Sequence, residues 1–290
     1  MNDDTFTPGA KRAFFCECTA SAFVAADTVS MEFLWPGPAP RGGQFFFIKP
    51  RRTGVYLGRP ISVAGWKPGG IVVSKGGSAV NESAAGKLRF IVARRGQGSR
   101  DLVDLRPGEE AELIGPLGNY WAQADIFEDL PKEPEPIALV GGGIGIAPLL
   151  AFAAELLDST QNPAAAERVP FDLYAGFRSG SFGLEDLKSE GPRSLVIATE
   201  DGSEGVKGRI TEFFTPAGYS AVFVCGPEPL LKVAGDACIA SEVPCFVSLE
   251  KHMACGVGAC LGCTVKTTGG NRRCCTEGPI FNAEEVCFDK

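Results

Sequence analysis

Short apolar runs of β type recur through the first part of the chain: FFFI at 45–48, ISVA at 61–64, IVVS at 71–74 and LRFIVA at 88–93. Gly and Pro punctuate them at even intervals, which predicts an antiparallel barrel or sandwich from 13 to about 121. The stretch DIFEDLPKEPEPI at 125–137 is acidic, rich in proline and without period, and predicts a domain boundary. Beyond it, strands expected at 137–140, 171–175, 194–198, 221–225 and 244–249 alternate with helices expected at 147–157, 209–214 and 229–240. That alternation implies a parallel sheet with crossover connections. From about Glu250 the chain becomes a short Cys- and Gly-rich segment with little hydrophobic period, too small to fold on burial alone. The expected fold class is therefore multi-domain: an antiparallel β-barrel over 1–130, an α/β parallel-sheet domain over 131–243 and a small C-terminal module over 244–290.

Composition narrows the function classes. The chain has 290 residues, 44% hydrophobic and 22% charged, as ordinary globular proteins do. Its net charge of −7 argues against a sequence-independent nucleic-acid binder, which needs a positive field. The run IALVGGGIGIAPLLAFAAELL at 137–157 imitates a membrane span, but five residues, Gly141, Gly142, Gly143, Gly145 and Pro148, interrupt it. A buried strand, a glycine turn and a helix explain it better, so no membrane span is expected. The start MNDDTFTPGAKR does not read as a secretory signal, and a cytoplasmic location follows. With one histidine, His252, histidine proton relays and multi-histidine metal sites are excluded.

Eleven cysteines are present, six of them from Cys255 to Cys287. Cys255, Cys260 and Cys263 form a C-x4-C-x2-C run with a more distant fourth cysteine, the plant-type spacing for a 2Fe-2S cluster. A loop carrying three thiolates must curl around two irons with its N–H groups turned inward, and Gly256, Gly258 and Gly262 give it that freedom. Structural zinc competes, but zinc modules favour two tight C-x2-C knuckles and only Cys260 to Cys263 is one. Cys274 and Cys275 are neighbours that point to opposite faces of an extended strand, so one of them is expected to ligate and spacing does not choose. Cys16, Cys18, Cys238, Cys245 and Cys287 read as small buried or surface thiols.

The order apolar strand, Gly141-Gly142-Gly143-Ile144-Gly145, helix is that of a pyrophosphate-binding element: bare backbone lets phosphate approach, and the helix offers unpaired N–H groups. It departs from the strict G-x-G-x-x-G fingerprint, and a turn used only for packing is the alternative. A second strand, AVFVC, runs into Cys225-Gly226-Pro227 and places a thiol at the carboxyl end of a parallel strand, where open α/β sheets bind ligands. A small buried hydrophobe is the other reading of Cys225. In the barrel, Arg59 and Ser62 stand three apart at the start of a strand, fit to grip a diphosphate and to reach a flavin edge. Arg94-Arg95-Gly96-Gln97-Gly98-Ser99 combines cations with a Gly/Ser turn, an anion nest or a solvated loop.

With GGQF at 42–45, RPIS at 59–62, GQGS at 96–99, GPLGN at 115–119, GGGIGIAPLL at 141–150, TEDGS at 199–203, CGPEPLL at 225–231 and SLEKHMACGVGACLGC at 248–263, the chain resembles the ferredoxin-NADP reductase superfamily over nearly its full length. It is most similar to the branch of electron-transfer subunits that serve dihydroorotate dehydrogenases of type 1B. The resemblance implies FAD in the barrel, held by Arg59, Pro60, Ile61, Ser62, Ile91, Val92, Ala93, Gly98 and Ser99. It implies NAD in the α/β domain, at Gly141, Gly142, Gly143, Gly145, Cys225, Gly226 and Pro227, with Cys225 and Ser62 catalytic beside nicotinamide and flavin. It implies a 2Fe-2S cluster on Cys255, Cys260, Cys263 and Cys275, the last chosen because the family's fourth ligand precedes a residue, an acid and Gly-Pro, as in Cys275-Thr276-Glu277-Gly278-Pro279. Members often carry Arg where this chain has Ala93, with Arg94 or Arg95 as its replacement. The implied partner is an FMN-containing dihydroorotate dehydrogenase catalytic subunit, two of each in a heterotetramer, feeding electrons to NAD+ in pyrimidine biosynthesis. The alternatives are a related reductase subunit of a sulfide dehydrogenase, hydrogenase or sulfite reductase, or a zinc-stabilised interaction protein without catalysis. NAD is preferred to NADP only in that Glu200 and Asp201 offer acids, whose distance from a ribose the sequence does not fix.

Overall fold

A computed structural model describes residues 13–69, 72–73, 79–80, 85–123, 135–158, 169–187 and 191–288. Its first strands are β1 (Ala13–Ala25), β2 (Thr28–Trp35), β3 (Phe45–Pro50), β4 (Arg59–Lys67), β5 (Val72–Val73), β6 (Ala79–Val80), β7 (Gly86–Ala93) and β8 (Glu110–Leu117). Six of them close an antiparallel barrel in the order β1-β2-β7-β4-β3-β8, and β5 pairs with β6. Of the run expected at 71–74, Ile71 and Ser74 lie outside the described residues, as do the start of the chain and the boundary at 130/131.

Alternation explains the barrel. Val29, Met31, Phe33 and Trp35 of β2 are buried, every second residue, as a strand with one buried face requires. Trp35 meets Phe46 edge-on at 4.9 Å. Strand β3 breaks the rule because it is buried on both faces. Phe46 and Ile48 enter the barrel core, whereas Phe45 and Phe47 join a second core with Leu117, Cys263, Cys274 and Cys275. Four consecutive apolar residues therefore serve two cores.

The second half contains β9 (Ile137–Gly142), α2 (Ile146–Leu157), β10 (Phe171–Phe177), β11 (Ser194–Thr199), β12 (Val206–Lys207), β13 (Ala221–Cys225), α3 (Glu228–Ala240), β14 (Cys245–Ser248), β15 (Thr264–Thr267), β16 (Gly270–Arg273) and β17 (Ile280–Asn282), and α1 (Gln97–Val103) lies in the barrel half. A seven-stranded sheet runs β12-β11-β10-β9-β13-β14-β17. All neighbours are parallel except β17, which pairs antiparallel with β14. The Cys-rich segment thus supplies the last strand of the large sheet, besides its own β15–β16 hairpin.

The helix expected at 209–214 is instead one 3-10 turn, Ile210–Glu212. β-Branched Ile210 and Thr211 and aromatic Phe213 and Phe214 lose side-chain freedom in a helix, and so short a stretch does not recover the cost of nucleation. Burial of Ile210 against Gly176, whose Cβ would lie 2.8 Å from Ile210 Cγ2, fixes the turn instead. No helix among the described residues is long and apolar enough to cross a membrane.

Barrel and sheet share one hydrophobic cluster, which takes Ala64, Ile91 and Trp121 from one side and Ile146, Ala147 and Leu150 from the other. The Glu155 carboxylate of α2 accepts hydrogen bonds from Gly42 N–H at 2.6 Å and Arg41 Nε at 3.2 Å. Burial is the main influence on this carboxyl and raises its pKa, with Arg41 opposing.

Candidate functional site

The glycine turn and the Cys225 segment meet backbone to backbone. A Cβ on Gly145 would stand 2.5 Å from Cys225 O and 2.6 Å from Gly226 Cα, and one on Gly142 would meet Leu230 at 2.7 Å and Pro227 at 3.0 Å. Gly141 pairs in register with Cys225. Gly143, at φ +55°, has nothing within 4 Å of its Cβ position, so the turn is closed towards the sheet and open outward. This is bare backbone at the carboxyl edge of a parallel sheet, just before α2, and it suits a diphosphate.

Cys225 itself is buried. Its thiol hydrogen-bonds the Ser248 side chain, and burial, with the charge of Glu250 added, pushes its pKa far up. It stays a neutral thiol across the physiological range, unfit as base or nucleophile. Glu250 is the residue that the sequence reading missed here. It keeps solvent contact, yet crowding of the carboxyl raises its pKa, with Arg95 pulling the other way.

On the barrel, the guanidinium of Arg59 lies across Gly98, whose Cβ would fall 2.3 Å from Arg59 Nε. Arg59 Nη1 also donates to the carbonyls of Leu57 and Gly58, each at 3.1 Å. Two separate expected segments, RPIS and GQGS, are thereby joined. Ser99 Oγ accepts from the N–H groups of Arg95 (2.8 Å) and Gly96 (3.0 Å) and donates to Gly96 O. Its hydroxyl shapes the turn and has no capacity left for a ligand. Pro60, Ile61 and Ser62 pair with Phe47, Phe46 and Phe45 of β3. Val92 is buried in the barrel core and Ile91 in the shared cluster, while Ala93 is half-buried. Of the two arginines named for the Ala93 position, Arg94 is paired with Asp104 at 2.6 Å and Arg95 acts on Glu250.

The cysteines fall into two pairs. Cys255 and Cys260 contact each other through their thiols on the outer side, and Cys263 and Cys275 do so in the buried interior. The N–H groups of Val257 (3.5 Å) and Cys260 (3.4 Å) point at Cys255 Sγ, and that of Gly262 at Cys260 Sγ (3.5 Å). Those backbone dipoles bring the Cys255 thiol down to about 6. Gly256 and Gly258, at φ +66° and +80°, allow the loop to curl. Cys275 is also reached by the N–H of Gly258. Its neighbour Cys274 turns away and donates to Leu249 O at 3.1 Å. Burial, with the negative charge of Cys263 and Cys275, pushes the Cys274 thiol to about 12. Among the described residues no three metal-binding side chains converge on one ion-sized point. Two thiol pairs, Cys255 with Cys260 and Cys263 with Cys275, would offer two thiolates to each of two bridged irons.

Other residues hold this loop, and sequence reasoning missed them. Arg273 donates to Gly258 O (3.3 Å) and to Glu277 Oε2 (2.8 Å). Phe47 packs under Gly256, whose Cβ would lie 2.6 Å from its ring. Asn119 of GPLGN forms a two-way pair with Ile280, donating to its carbonyl at 2.8 Å and accepting from its N–H at 3.0 Å. Gln44 of GGQF donates to Gly118 O at 3.0 Å. Asn119 thus joins the barrel to the cysteine segment, and Gln44 braces the Gly118 turn from within the barrel; both motifs stood out in the sequence, but nothing in it gave these two amides their roles.

Comparison with known proteins gives consistent results. Residues 250–287 match the family model described as the iron-sulfur cluster binding domain of dihydroorotate dehydrogenase B. The dihydroorotate dehydrogenase B (NAD(+)) electron transfer subunit of Clostridium perfringens is 37% identical over 246 residues, covering 85% of this chain and 87% of that protein. That of Clostridium acetobutylicum is 34% identical, covering 86% and 87%. Among solved structures, an NADH-dependent reduced ferredoxin-NADP oxidoreductase superposes with a TM-score of 0.72 at 24% identity, covering 94% of this chain and 89% of that one. The ferredoxin reductase in carbazole 1,9a-dioxygenase gives 0.60 at 19%, covering 84% and 70%. These two show the fold.

Proposed function

Because this chain belongs to the family of dihydroorotate dehydrogenase B (NAD+) electron transfer subunits, we propose that its two joined halves form a relay between a dihydroorotate-oxidising partner and NAD+. It is an oxidoreductase subunit of pyrimidine biosynthesis whose cofactors are FAD, a 2Fe-2S cluster and NAD. When bound, these groups supply one-electron chemistry at the cluster, both one- and two-electron chemistry at the flavin, and hydride acceptance at the nicotinamide.

The protein's part is to bind and orient. Cys255, Cys260, Cys263 and Cys275 would ligate the cluster, with Cys274 left as a buried thiol. Arg59 would neutralise the FAD diphosphate, which Gly98 and Ser99 meet with backbone, while Pro60, Ile61 and Ser62 would line the ring and Ile91, Val92 and Ala93 would meet it with the backbone of β7. Gly141, Gly142, Gly143 and Gly145 with Gly226 and Pro227 would take the NAD diphosphate. Ser62 and Cys225 would face flavin and nicotinamide, the neutral thiol of Cys225 adding bulk and no charge, and Glu250 would set the position of both. We divide the chain by cofactor at 1–130, 131–243 and 244–290, although β14 and β17 of the last segment complete the large sheet. The partner is read as an FMN-containing catalytic subunit, two of each chain per assembly, in the cytoplasm, whose reducing conditions keep these cysteines as thiols.

The observation that carries the reading is the seating of the cysteine loop on Phe47 of β3, the strand next to the RPIS strand. The test is co-expression with a candidate partner. Expected are co-purification, FAD, about two irons and two acid-labile sulfides per chain, and dihydroorotate-dependent NAD+ reduction. Zinc in place of iron and sulfide, or a partner that oxidises another substrate, would overturn it.

A further inference from the structure

Two cysteines that the cofactors do not use face each other. Cys238 lies in the last turn of α3 and Cys245 opens β14; both are buried, at 0% and 3% exposure. After α3 the chain reverses through Glu242 at φ +56°, an uncommon conformation for a residue with a side chain. Val243 N–H bonds back to Cys238 O at 3.0 Å. That reversal brings Cys245 beneath Cys238, and the two thiols hydrogen-bond. Each thiol is the first influence on the other, and both belong to one buried cluster, so either sulfur can act first. The turn above them is exposed at Ser241, Glu242 and Pro244, so a local opening there reaches both sulfurs.

The position matters because both elements end at the proposed nicotinamide site. Helix α3 starts directly after Cys225-Gly226-Pro227, and β14 ends at Ser248, whose side chain meets Cys225. We propose that Cys238 and Cys245 form a reversible thiol–disulfide pair through which a peroxide modulates the NAD half of this protein. The inference rests on the NAD reading of that half. One thiol sulfur attacks a peroxide oxygen, the O–O bond breaks and water leaves, giving a sulfenic acid. The second thiol displaces its oxygen as a second water. Two S–H bonds are lost, one S–S bond forms, and the peroxide takes the two electrons. Closing the contact to an S–S bond of about 2.05 Å draws α3 against β14, and a close-packed interior transmits that shift.

The test treats the FAD- and cluster-loaded protein with hydrogen peroxide, with cluster absorbance as the control for damage. Lys232 and Lys251 bound a single tryptic peptide that holds both cysteines, so the disulfide reads as a loss of about 2 Da. Expected is that loss, reversed by dithiothreitol, with a roughly two- to thirtyfold fall in NADH-dependent dye reduction that recovers alongside. Cys238→Ala and Cys245→Ala should each abolish both changes. The peptide map of the unsubstituted protein decides the chemistry even where a variant fails to fold. Both thiols remaining free while the cluster begins to bleach, or a disulfide without effect on NADH turnover, would overturn the proposal. A protein that never oxidises NADH sinks the NAD reading itself, a failure distinct from the peptide result.

Discussion

The ring of Phe47 occupies the space that a side chain on Gly256 would need, a Cβ there standing 2.6 Å from Phe47 Cε2. One residue belongs to the barrel strand beside RPIS and the other to the cysteine loop, so this contact sets how closely the loop approaches the flavin strand. Gly256 also holds φ +66°, which costs a residue with a Cβ about 1 kcal/mol or more. Gly256→Ala combines both penalties, since the ring of Phe47, itself buried, must shift to admit the methyl group. The variant should lose most of its iron and visible cluster absorbance while keeping FAD; full iron content would refute the contact as a determinant of the loop.

The adjacent cysteines separate by direction. Cys275→Ser removes a sulfur from the inner pair and should lose or strongly perturb the cluster. Cys274→Ser replaces a thiol whose hydrogen bond goes to Leu249 O, and the hydroxyl can keep that bond. It should retain iron and sulfide, at a stability cost of about 1 kcal/mol. Iron analysis of both variants checks this, and the reverse pattern would move the assignment to Cys274.

Much of the architecture was readable before the structure, for physical reasons that particular elements make plain. Strand β2 alternates because one face is buried, and the turn at 141–145 is bare because Cys225 O and Gly226 Cα pass within 2.6 Å of where a Gly145 side chain would begin. What escaped are contacts between residues far apart in sequence. Nothing near Phe47 announces that it supports Gly256, and Glu250 looks like the start of a loop until the fold brings Arg95 and Cys225 to it. The helix expected at 209–214 failed because apolar spacing over six residues does not outweigh poor helix formers. Cys274 and Cys275 were ambiguous because the sequence reading set them on an extended strand; they lie instead in the turn that follows β16, where long-range contacts with Cys263 and Leu249, and not alternation, separate the two thiols.

The outer rim of the loop is apolar. Val257 and Leu261 of the loop and Tyr56 and Leu57 of the turn before β4 are exposed, Leu261 at 62% and Tyr56 at 89%. Both turns flank Phe47, since a Cβ on Gly58 would also meet its ring at 3.2 Å. Large apolar side chains exposed on two loops that both pack on Phe47 suit a partner's docking face. Leu261→Asp should weaken co-purification of the catalytic subunit at least about tenfold while NADH-dependent dye reduction by this chain persists. Unchanged pull-down would place the partner elsewhere.

The charge of Glu250 is felt at Cys225 and that of Arg95 at Glu250, which puts this carboxyl within electrostatic reach of both halves beside the proposed nicotinamide site. Glu250→Gln keeps the shape and removes the charge. NADH-dependent dye reduction should fall by roughly ten- to a hundredfold through misplacement of the nicotinamide, with FAD and iron contents unchanged. Because crowding around the carboxyl raises its pKa although the residue keeps solvent contact, the unsubstituted protein should lose activity as pH falls towards that raised value. The variant should show no such limb. An equal acid limb in both proteins would show that another group titrates.

At the opposite edge of the large sheet, Asp172 ties together the starts of three strands. It accepts from Arg193 at 3.1 and 2.9 Å and from Tyr219 at 2.7 Å, and Tyr219 in turn meets Tyr174 at 2.8 Å. Burial of Asp172 favours the protonated acid, but the hydrogen bonds from Arg193 and Tyr219 outweigh it and hold the carboxyl below its usual range. A carboxylate depressed in the folded state stabilises above its unfolded pKa of about 3.9, and that contribution disappears as pH falls through the lower folded value. Asp172→Asn should therefore cost about 2 kcal/mol at pH 7. Thermal melts should show the gap between the two proteins narrowing below about pH 4, because the asparagine does not titrate. A gap that stays constant from pH 7 down would mean that packing, and not the charge on Asp172, accounts for the loss.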